Sequence, residues 1–207
     1  MDNNSQIRAA LLTAMSDHQL VAIYNLPESD DNFNVGYVLA VDVNFILLES
    51  IDWDGKIFGI DAIRISSIHE FAADTDYLQT VKVKIAVAKR RGYYDLWHVN
   101  DFIVGHPDIL DGDLAWNLLQ DSYKSGLPVV VGTTRFQGSD DFEGMLSNLT
   151  PQALTIDYYN EHDLSSMWRY STPLTDVQYV RTRGTQAATT AEVLRDVFNY
   201  TGPQDAR

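Results

Sequence analysis

Cysteine is absent from this chain of 207 residues. A disulfide framework, a thiolate metal site and a catalytic cysteine are therefore excluded. The chain also lacks an apolar run close to the roughly 20 residues that a membrane-spanning helix needs. Its first residues lack the basic and apolar regions of a secretory signal. We therefore expect a cytoplasmic protein with no membrane partner.

Positive charge is scarce. The chain has 15 lysine and arginine residues against 29 aspartate and glutamate residues, which gives a formal net charge of −14. Most of the surface should repel phosphates and anionic membranes, so the charge disfavours nucleic-acid binding. The hydrophobic content of 45% is enough for packed cores and argues against general disorder.

Motifs for catalysis and cofactor binding are missing too. No serine lies in a Gly-x-Ser-x-Gly elbow, and Gly132, Gly138 and Gly144 are too widely spaced for a phosphate-binding loop. The sequence therefore predicts no cofactor and favours a protein that is not an enzyme.

What the chain does contain is an internal repeat. Apolar and acidic segments of the first half recur in the same order in the second half. The matching segments are Leu11-Leu12 with Leu118-Leu119, Leu20–Tyr24 with Leu127–Val131, and Ser29-Asp30-Asp31 with Ser139-Asp140-Asp141. The shared order indicates a duplicated module.

Each copy has the pattern of a helix, five short strands and a second helix. The predicted strands are 20–24, 35–41, 45–51, 56–60 and 63–69, then 128–133, 144–149, 153–160, 167–170 and 177–182. Ser5 and Asp113 are placed to cap the opening helices, and the closing helices are predicted at 76–91 and 190–200. Short, closely spaced antiparallel strands are typical of small barrels. The predicted class is mostly β (α+β), with two tandem five-stranded barrel modules.

The domain boundaries follow from the repeat. We predict a first module at 1–92, a packed connector at 93–112 and a second module at 113–207. The connector contains Trp97, Phe102 and Ile109, which is too apolar for a solvated linker. We expect it to pack against both modules.

One segment of the first module fits two patterns. Val81, Val83 and Ile85 alternate as in a strand, whereas Leu78, Val81, Ile85 and Ala88 also form a helical stripe. The correspondence with the second copy favours a helix over 76–91.

The order of elements resembles that of the Sm-like family of small β-barrels. In the first copy, residues similar to the two Sm motifs are Phe33, Gly36, Asp42, Asn44 and Leu47-Leu48, then Ile63-Arg64 and Ile68. Ile65 stands where the second motif has glycine, and the second copy keeps only Gly144 and Leu154. The resemblance implies edge-strand assembly into rings and binding of single-stranded RNA. SH3-like barrels share the same strand pattern.

Two sets of candidate site residues follow. For RNA, the resemblance indicates Asn44 and Arg64, and the basic run Lys89-Arg90-Arg91 beside Tyr93 and Tyr94 adds charge next to aromatic rings. A solvated helix face is the alternative explanation of that run.

For a metal ion, Asp30 and Asp31 occupy the loop that corresponds to Asp140 and Asp141, and four carboxylates brought together could hold a hard cation. The alternative is a pair of solvated turns.

Three hypotheses of function remain from the sequence. The first is a non-enzymatic interaction or scaffold protein that binds a protein partner or self-assembles through its strand edges. The second is a single-stranded RNA-binding protein, and the third is a metal-dependent hydrolase.

Overall fold

The computed structural model describes residues 3–26, 33–160 and 163–200. The chain divides into two compact units, Met1–Leu114 and Ala115–Arg207. Residues 93–112 belong to the first unit, where Val99 and Ile109 are buried. Among the described residues, no helix is both long and apolar enough to cross a membrane.

The first unit opens with helix α1 (Asn3–Ser16), in which the buried residues Ile7, Leu11 and Ala14 recur at helical spacing. The strands are β1 (Leu20–Tyr24), β2 (Asn34–Val41), β3 (Phe45–Ile51), β4 (Ile57–Arg64) and β5 (Glu70–Ala73). Helices α2 (Asp76–Arg91) and α3 (Val99–Gly105) follow, and short 3₁₀ turns lie at Ile65–Ser67 and Pro107–Leu110. The strand order is β5-β1-β2-β3-β4, and the pairs that join these strands are antiparallel.

The second unit repeats this order of elements. Helix α4 (Leu114–Ser125) is followed by β6 (Val129–Thr133), β7 (Phe142–Leu149), β8 (Ala153–Asn160), β9 (Asp163–Pro173), β10 (Val177–Thr182) and α5 (Thr185–Phe198). The strand order is β10-β6-β7-β8-β9, again antiparallel. In both units the first strand pairs with the second and with the fifth.

The α+β class and the antiparallel pairing are therefore confirmed. Closure into a barrel requires a further pairing between the two ends of each strand order. The pairings found in the described parts of the chain do not close either order, so the two predicted barrels are not seen in the structure.

The core of the first unit centres on β3, in which all seven residues are buried. A strand that is covered on both faces loses the alternation of apolar and polar residues, and β3 reads as a nearly continuous apolar run. Leu47 and Leu48 lie side by side on opposite faces and are both fully buried. Each such side chain contributes about 1.5–3 kcal/mol to folding.

Glycine lets strands approach closely at the same position in both units. A Cβ atom on Gly36 of β2 would lie 2.1 Å from the Glu49 carbonyl oxygen. A Cβ atom on Gly144 of β7 would lie 2.0 Å from the Asp157 carbonyl oxygen. Only glycine fits without a shift of the backbone. The repeat thus includes a tight contact between its second and third strands.

Residues 76–91 form helix α2, as predicted. The side chain of Thr75 accepts a hydrogen bond from the Leu78 amide at the start, and Gly92 adopts a left-handed conformation at the end. The buried residues are the helical stripe Leu78, Val81, Ile85 and Ala88. Burial of that stripe outweighs the strand-like alternation.

Several predicted boundaries were wrong, among them those of β9, which was predicted at 167–170 and spans Asp163–Pro173. The strands predicted at 56–60 and 63–69 are one strand, β4, and the fifth strand lies later, at Glu70–Ala73. The reason is Asp61, which interrupts the apolar pattern but is buried within β4, where its carboxylate accepts the Ser50 hydroxyl at 2.6 Å. Ser5 lies inside α1 and does not cap it. The last helix was predicted at 190–200 but spans Thr185–Phe198, and it ends before Asn199, whose φ of 52° is left-handed.

Candidate functional site

A polar pocket in the first unit brings two of the predicted RNA-binding residues together. It has a volume of about 220 Å³ and is lined by Asn4, Ser5, Arg8, Val43, Asn44, Arg64, Ile65 and Ser66. These residues come from the start of α1, from the turn between β2 and β3, and from the end of β4 with the 3₁₀ turn that follows it. Residues far apart in sequence therefore form one site.

The turn that presents Asn44 is held by Asp42. One carboxylate oxygen of Asp42 accepts hydrogen bonds from the amides of Asn44 and Phe45, each at 2.6 Å. The other accepts the Leu114 amide at 2.9 Å. The Asn44 carbonyl accepts the Ile65 amide at 2.8 Å, which fixes the turn beside the end of β4. Asp42 thus shapes the pocket and does not line it.

Two guanidinium groups give the pocket its charge. Arg64 lies over the Phe45 ring, with its guanidinium carbon 4.5 Å from the ring centre. Arg8 is half-buried and has no side-chain partner among the described residues. Guanidinium groups bind phosphate and carboxylate oxygens through paired N–H donors. In a chain of net charge −14, this pocket is a local concentration of positive charge.

The other predicted RNA-binding residues lie elsewhere in the same unit. Lys89, Arg90 and Arg91 form the last turn of α2, where they oppose the negative end of the helix dipole. The Lys89 ammonium lies 4.3 Å from the centre of the Tyr94 ring. None of the three lines the pocket. The structure therefore separates the predicted set into two groups.

Of the predicted metal ligands, Asp30 and Asp31 lie outside the described residues. Asp141 accepts a hydrogen bond from the Tyr179 hydroxyl at 2.8 Å, and that hydroxyl accepts the Gly138 amide at 2.9 Å. Burial, and secondarily the Asp141 charge, raises the pKa of Tyr179. In the parts of the chain that the structure describes, no three histidine or acidic residues are grouped as metal ligands. The metal site stays a prediction.

A buried carboxylate in β3 was not predicted as a site. Glu49 is 6% exposed and accepts a hydrogen bond from the Tyr94 hydroxyl. Burial raises the pKa of Glu49, and the bond from Tyr94 opposes that rise. The Tyr94 carbonyl also accepts the Ile57 amide at 2.7 Å. Tyr94 therefore links the segment after α2 to the sheet through two hydrogen bonds. The signal in the sequence that could have identified Glu49 is an acidic residue within a mostly apolar strand.

The corresponding residue of β8 is Asp157, which is 3% exposed. Its two carboxylate oxygens accept hydrogen bonds from Arg169 of β9, at 2.6 and 3.2 Å. This two-point ion pair joins neighbouring strands and borders a pocket of about 450 Å³, which Trp168 and Tyr200 also line. Each unit thus buries a carboxylate at the equivalent position of its third strand. The hydrogen-bond donor is a tyrosine hydroxyl in the first unit and a guanidinium group in the second.

Strand β9 is an edge of its unit. It runs over 11 residues and pairs only with β8 among the described residues. Trp168, at the middle of β9, is 47% exposed although its ring contacts Tyr158 edge-on at 6.3 Å between centres. The edge strand of the first unit, β5, has only four residues. A long edge strand with an exposed tryptophan is a surface on which another strand can pair.

No protein-family model matches the sequence, and comparisons with curated proteins and with solved structures give no match.

Proposed function

We propose that this protein is a non-enzymatic assembly module whose β9 strand pairs with β9 of a second copy. The observation that carries the proposal is the length and exposure of β9. Natural edge strands are commonly kept short, or carry lysine or proline that blocks pairing. Strand β5 fits that description by its length, whereas β9 has no lysine and its single proline is its last residue.

A symmetric pair suits β9 better than pairing with a different strand. Two-fold dimers are the commonest oligomers, and two copies of one strand in antiparallel pairing obey that symmetry. With Trp168 at the two-fold axis, Trp168 of each copy faces the other. Met167 then faces Arg169, and Ser166 faces Tyr170. No two like charges face each other directly across these positions.

The form of the module is part of the same proposal. Each unit has a helix, five antiparallel strands, and a first strand that pairs with the second and the fifth. A small barrel that arose by duplication, with the Sm-like or SH3-like type as its model, would account for this shared order. Fold resemblance by itself carries no function, so the assembly proposal depends on β9.

Light scattering after size-exclusion chromatography tests the assembly. We expect a mass twice the 23.3 kDa of the chain, which falls to the monomer on dilution. Trp168→Lys should give a monomer, because lysine on an edge strand opposes pairing. Val104→Lys is the matched control, since Val104 is 82% exposed on α3. A monomeric wild type, or a Trp168→Lys variant that still dimerises, would overturn the proposal.

A second candidate function is binding of single-stranded RNA at the polar pocket. The observation that favours it is the grouping of Asn44, Arg8 and Arg64, two of which also carry the Sm-like resemblance. A phosphate would accept from the guanidinium groups, and the amide of Asn44 could bond a base edge. The Lys89-Arg90-Arg91 run does not line the pocket and is not needed for this mode of binding.

Fluorescence anisotropy with a labelled U-rich oligonucleotide separates the two basic groups. The double variant Arg8→Gln/Arg64→Gln should weaken binding. It should also reduce the slope of log affinity against log salt concentration by about 1.4, since each phosphate contact on a single strand contributes about 0.7. Arg90→Gln/Arg91→Gln removes the same charge outside the pocket and should bind like the wild type. Equal losses in both variants would show non-specific attraction and refute the pocket as the site.

A further inference from the structure

A continuous string of aromatic rings lies on the first unit and shares no residue with the lining of the polar pocket. The rings of Tyr24 and Phe33 are 4.8 Å apart between centres, those of Phe33 and Tyr77 are 5.1 Å apart, and those of Tyr77 and Trp53 are 5.7 Å apart. The residues come from the end of β1, the position just before β2, the start of α2 and the turn between β3 and β4. We call this set, Tyr24, Phe33, Tyr77 and Trp53, the aromatic string.

The aromatic string is open to solvent. Trp53 is 58% exposed, and Tyr24, Phe33 and Tyr77 are half-buried. The Trp53 indole is carried by a turn in which the Asp52 carboxylate accepts the Asp54 amide at 2.9 Å. A structured turn therefore holds the Trp53 ring in its exposed position.

Acidic side chains border the aromatic string. Glu70 faces Tyr24 across the pair of β1 and β5, and its charge, after burial, contributes to the raised pKa of the Tyr24 hydroxyl. Asp76 directly precedes Tyr77 at the start of α2. Neither Glu70 nor Asp76 forms an ion pair with any described residue. Negative charge beside ring faces favours a cation.

One cation already uses this surface. The Lys84 ammonium of α2 lies 3.2 Å from the centre of the Trp53 ring. The indole face therefore accommodates an ammonium group from the direction of α2. Trp53 stays exposed in spite of its contact with Lys84. Any other cation that binds the same face of the indole ring competes with the Lys84 ammonium.

We propose that the aromatic string binds a basic segment of a partner protein, with lysine or arginine side chains over the rings and beside Glu70 and Asp76. Three observations converge on this chemistry: exposed ring faces, acids without ion-pair partners, and an internal ammonium on Trp53. The charge of −14 on the whole chain supports the same partner. The same acids repel phosphates, which argues against nucleic acid as the occupant. The proposal is independent of the β9 assembly.

The first test uses a matched pair of lysine variants and a labelled nonapeptide of alternating lysine and serine. Lys84→Met frees the Trp53 ring face, and Lys82→Met removes the same charge from the same helix without touching the ring. By fluorescence anisotropy, we expect Lys84→Met to bind the peptide about two- to fivefold more tightly than Lys82→Met, the size of one exposed cation–π contact. Equal affinities of the two variants would overturn the proposal.

The second test removes the proposed contacts. Trp53→Leu should weaken peptide binding about two- to fivefold. Glu70→Gln/Asp76→Asn should weaken it by more than Asp17→Asn/Asp196→Asn, a control that removes two exposed acids elsewhere. Melting curves establish that each variant is folded. Losses no larger than in the control, or binding of a labelled nine-residue uridine oligomer that Trp53→Leu abolishes, would overturn the proposal.

Discussion

Alanine at Gly36 or Gly144 should destabilise the protein strongly. The added Cβ atom would lie 2.1 Å from the Glu49 carbonyl oxygen in the first case and 2.0 Å from the Asp157 carbonyl oxygen in the second. Ordinary contact begins near 3.4 Å, so paired strands would have to separate by more than an ångström. Overpacking of this kind typically costs about 1–3 kcal/mol, and because the obstacle is backbone we expect the upper end.

Urea denaturation followed by circular dichroism measures this cost. Gly105→Ala is the control, since a Cβ atom there meets nothing within 4 Å and the φ angle of Gly105 is not positive. Gly105 is the last residue of α3, and alanine there should leave the free energy of unfolding unchanged or raise it by up to about 1 kcal/mol. A loss below about 0.5 kcal/mol for both Gly36→Ala and Gly144→Ala would refute the close approach.

Three further substitutions test polar contacts. Tyr94→Phe removes the donor to buried Glu49 and should cost about 1–3 kcal/mol. Burial raises the pKa of Glu49, and the hydrogen bond from Tyr94 opposes that rise. Without this bond, the folded variant favours protonated Glu49 more strongly than the wild type does. The cost measured by urea denaturation should therefore be greater at pH 7, where Glu49 must ionise, than at pH 4. Tyr179→Phe removes the donor to Asp141 and should lower the free energy of unfolding by about 1 kcal/mol. Thr75→Ala removes the cap of α2 and should cost about 1 kcal/mol by the same assay. Unchanged stability in any of these variants would contradict the contact concerned.

The elements that the sequence predicts well are those with local causes. Helix α2 is specified by local features: an apolar stripe, a capping threonine and a terminal glycine. These are Leu78, Val81, Ile85 and Ala88 for the stripe, Thr75 before it and Gly92 after it. The turn at Asp52–Gly55 is likewise encoded within its own residues, and Gly55 has a φ of 82°. Strand β3 is predicted because five of its seven residues are apolar.

The elements that the sequence predicts poorly depend on contacts between residues that are distant along the chain. Asp61 looks like the end of a strand until Ser50, on the neighbouring strand, satisfies its carboxylate. The contact between Glu49 and Tyr94 joins residues 45 positions apart, and no local pattern in the sequence pairs these two residues. The length of β9 was underestimated because its polar residues break the apolar run.

The candidate sites divide in the same way. Asn44 and Arg64 were paired through the Sm-like resemblance, and the structure places both in one pocket. Arg8 joins them only because α1 begins beside the turn between β2 and β3. The aromatic string is also assembled from four separate elements, so neither its continuity nor its contact with Lys84 could be predicted from spacing.

Disulfide trapping tests the central claim, the β9 pair, most directly, because the chain contains no cysteine. In an antiparallel pair, residues at the two-fold axis have Cα atoms about 4.5–5.5 Å apart, which is within the range of a disulfide. Under mild oxidation, a Trp168→Cys variant should therefore form a covalent dimer efficiently at low protein concentration, and Val104→Cys should not. Trapping of Trp168→Cys that is no faster than that of Val104→Cys would contradict the β9 pairing.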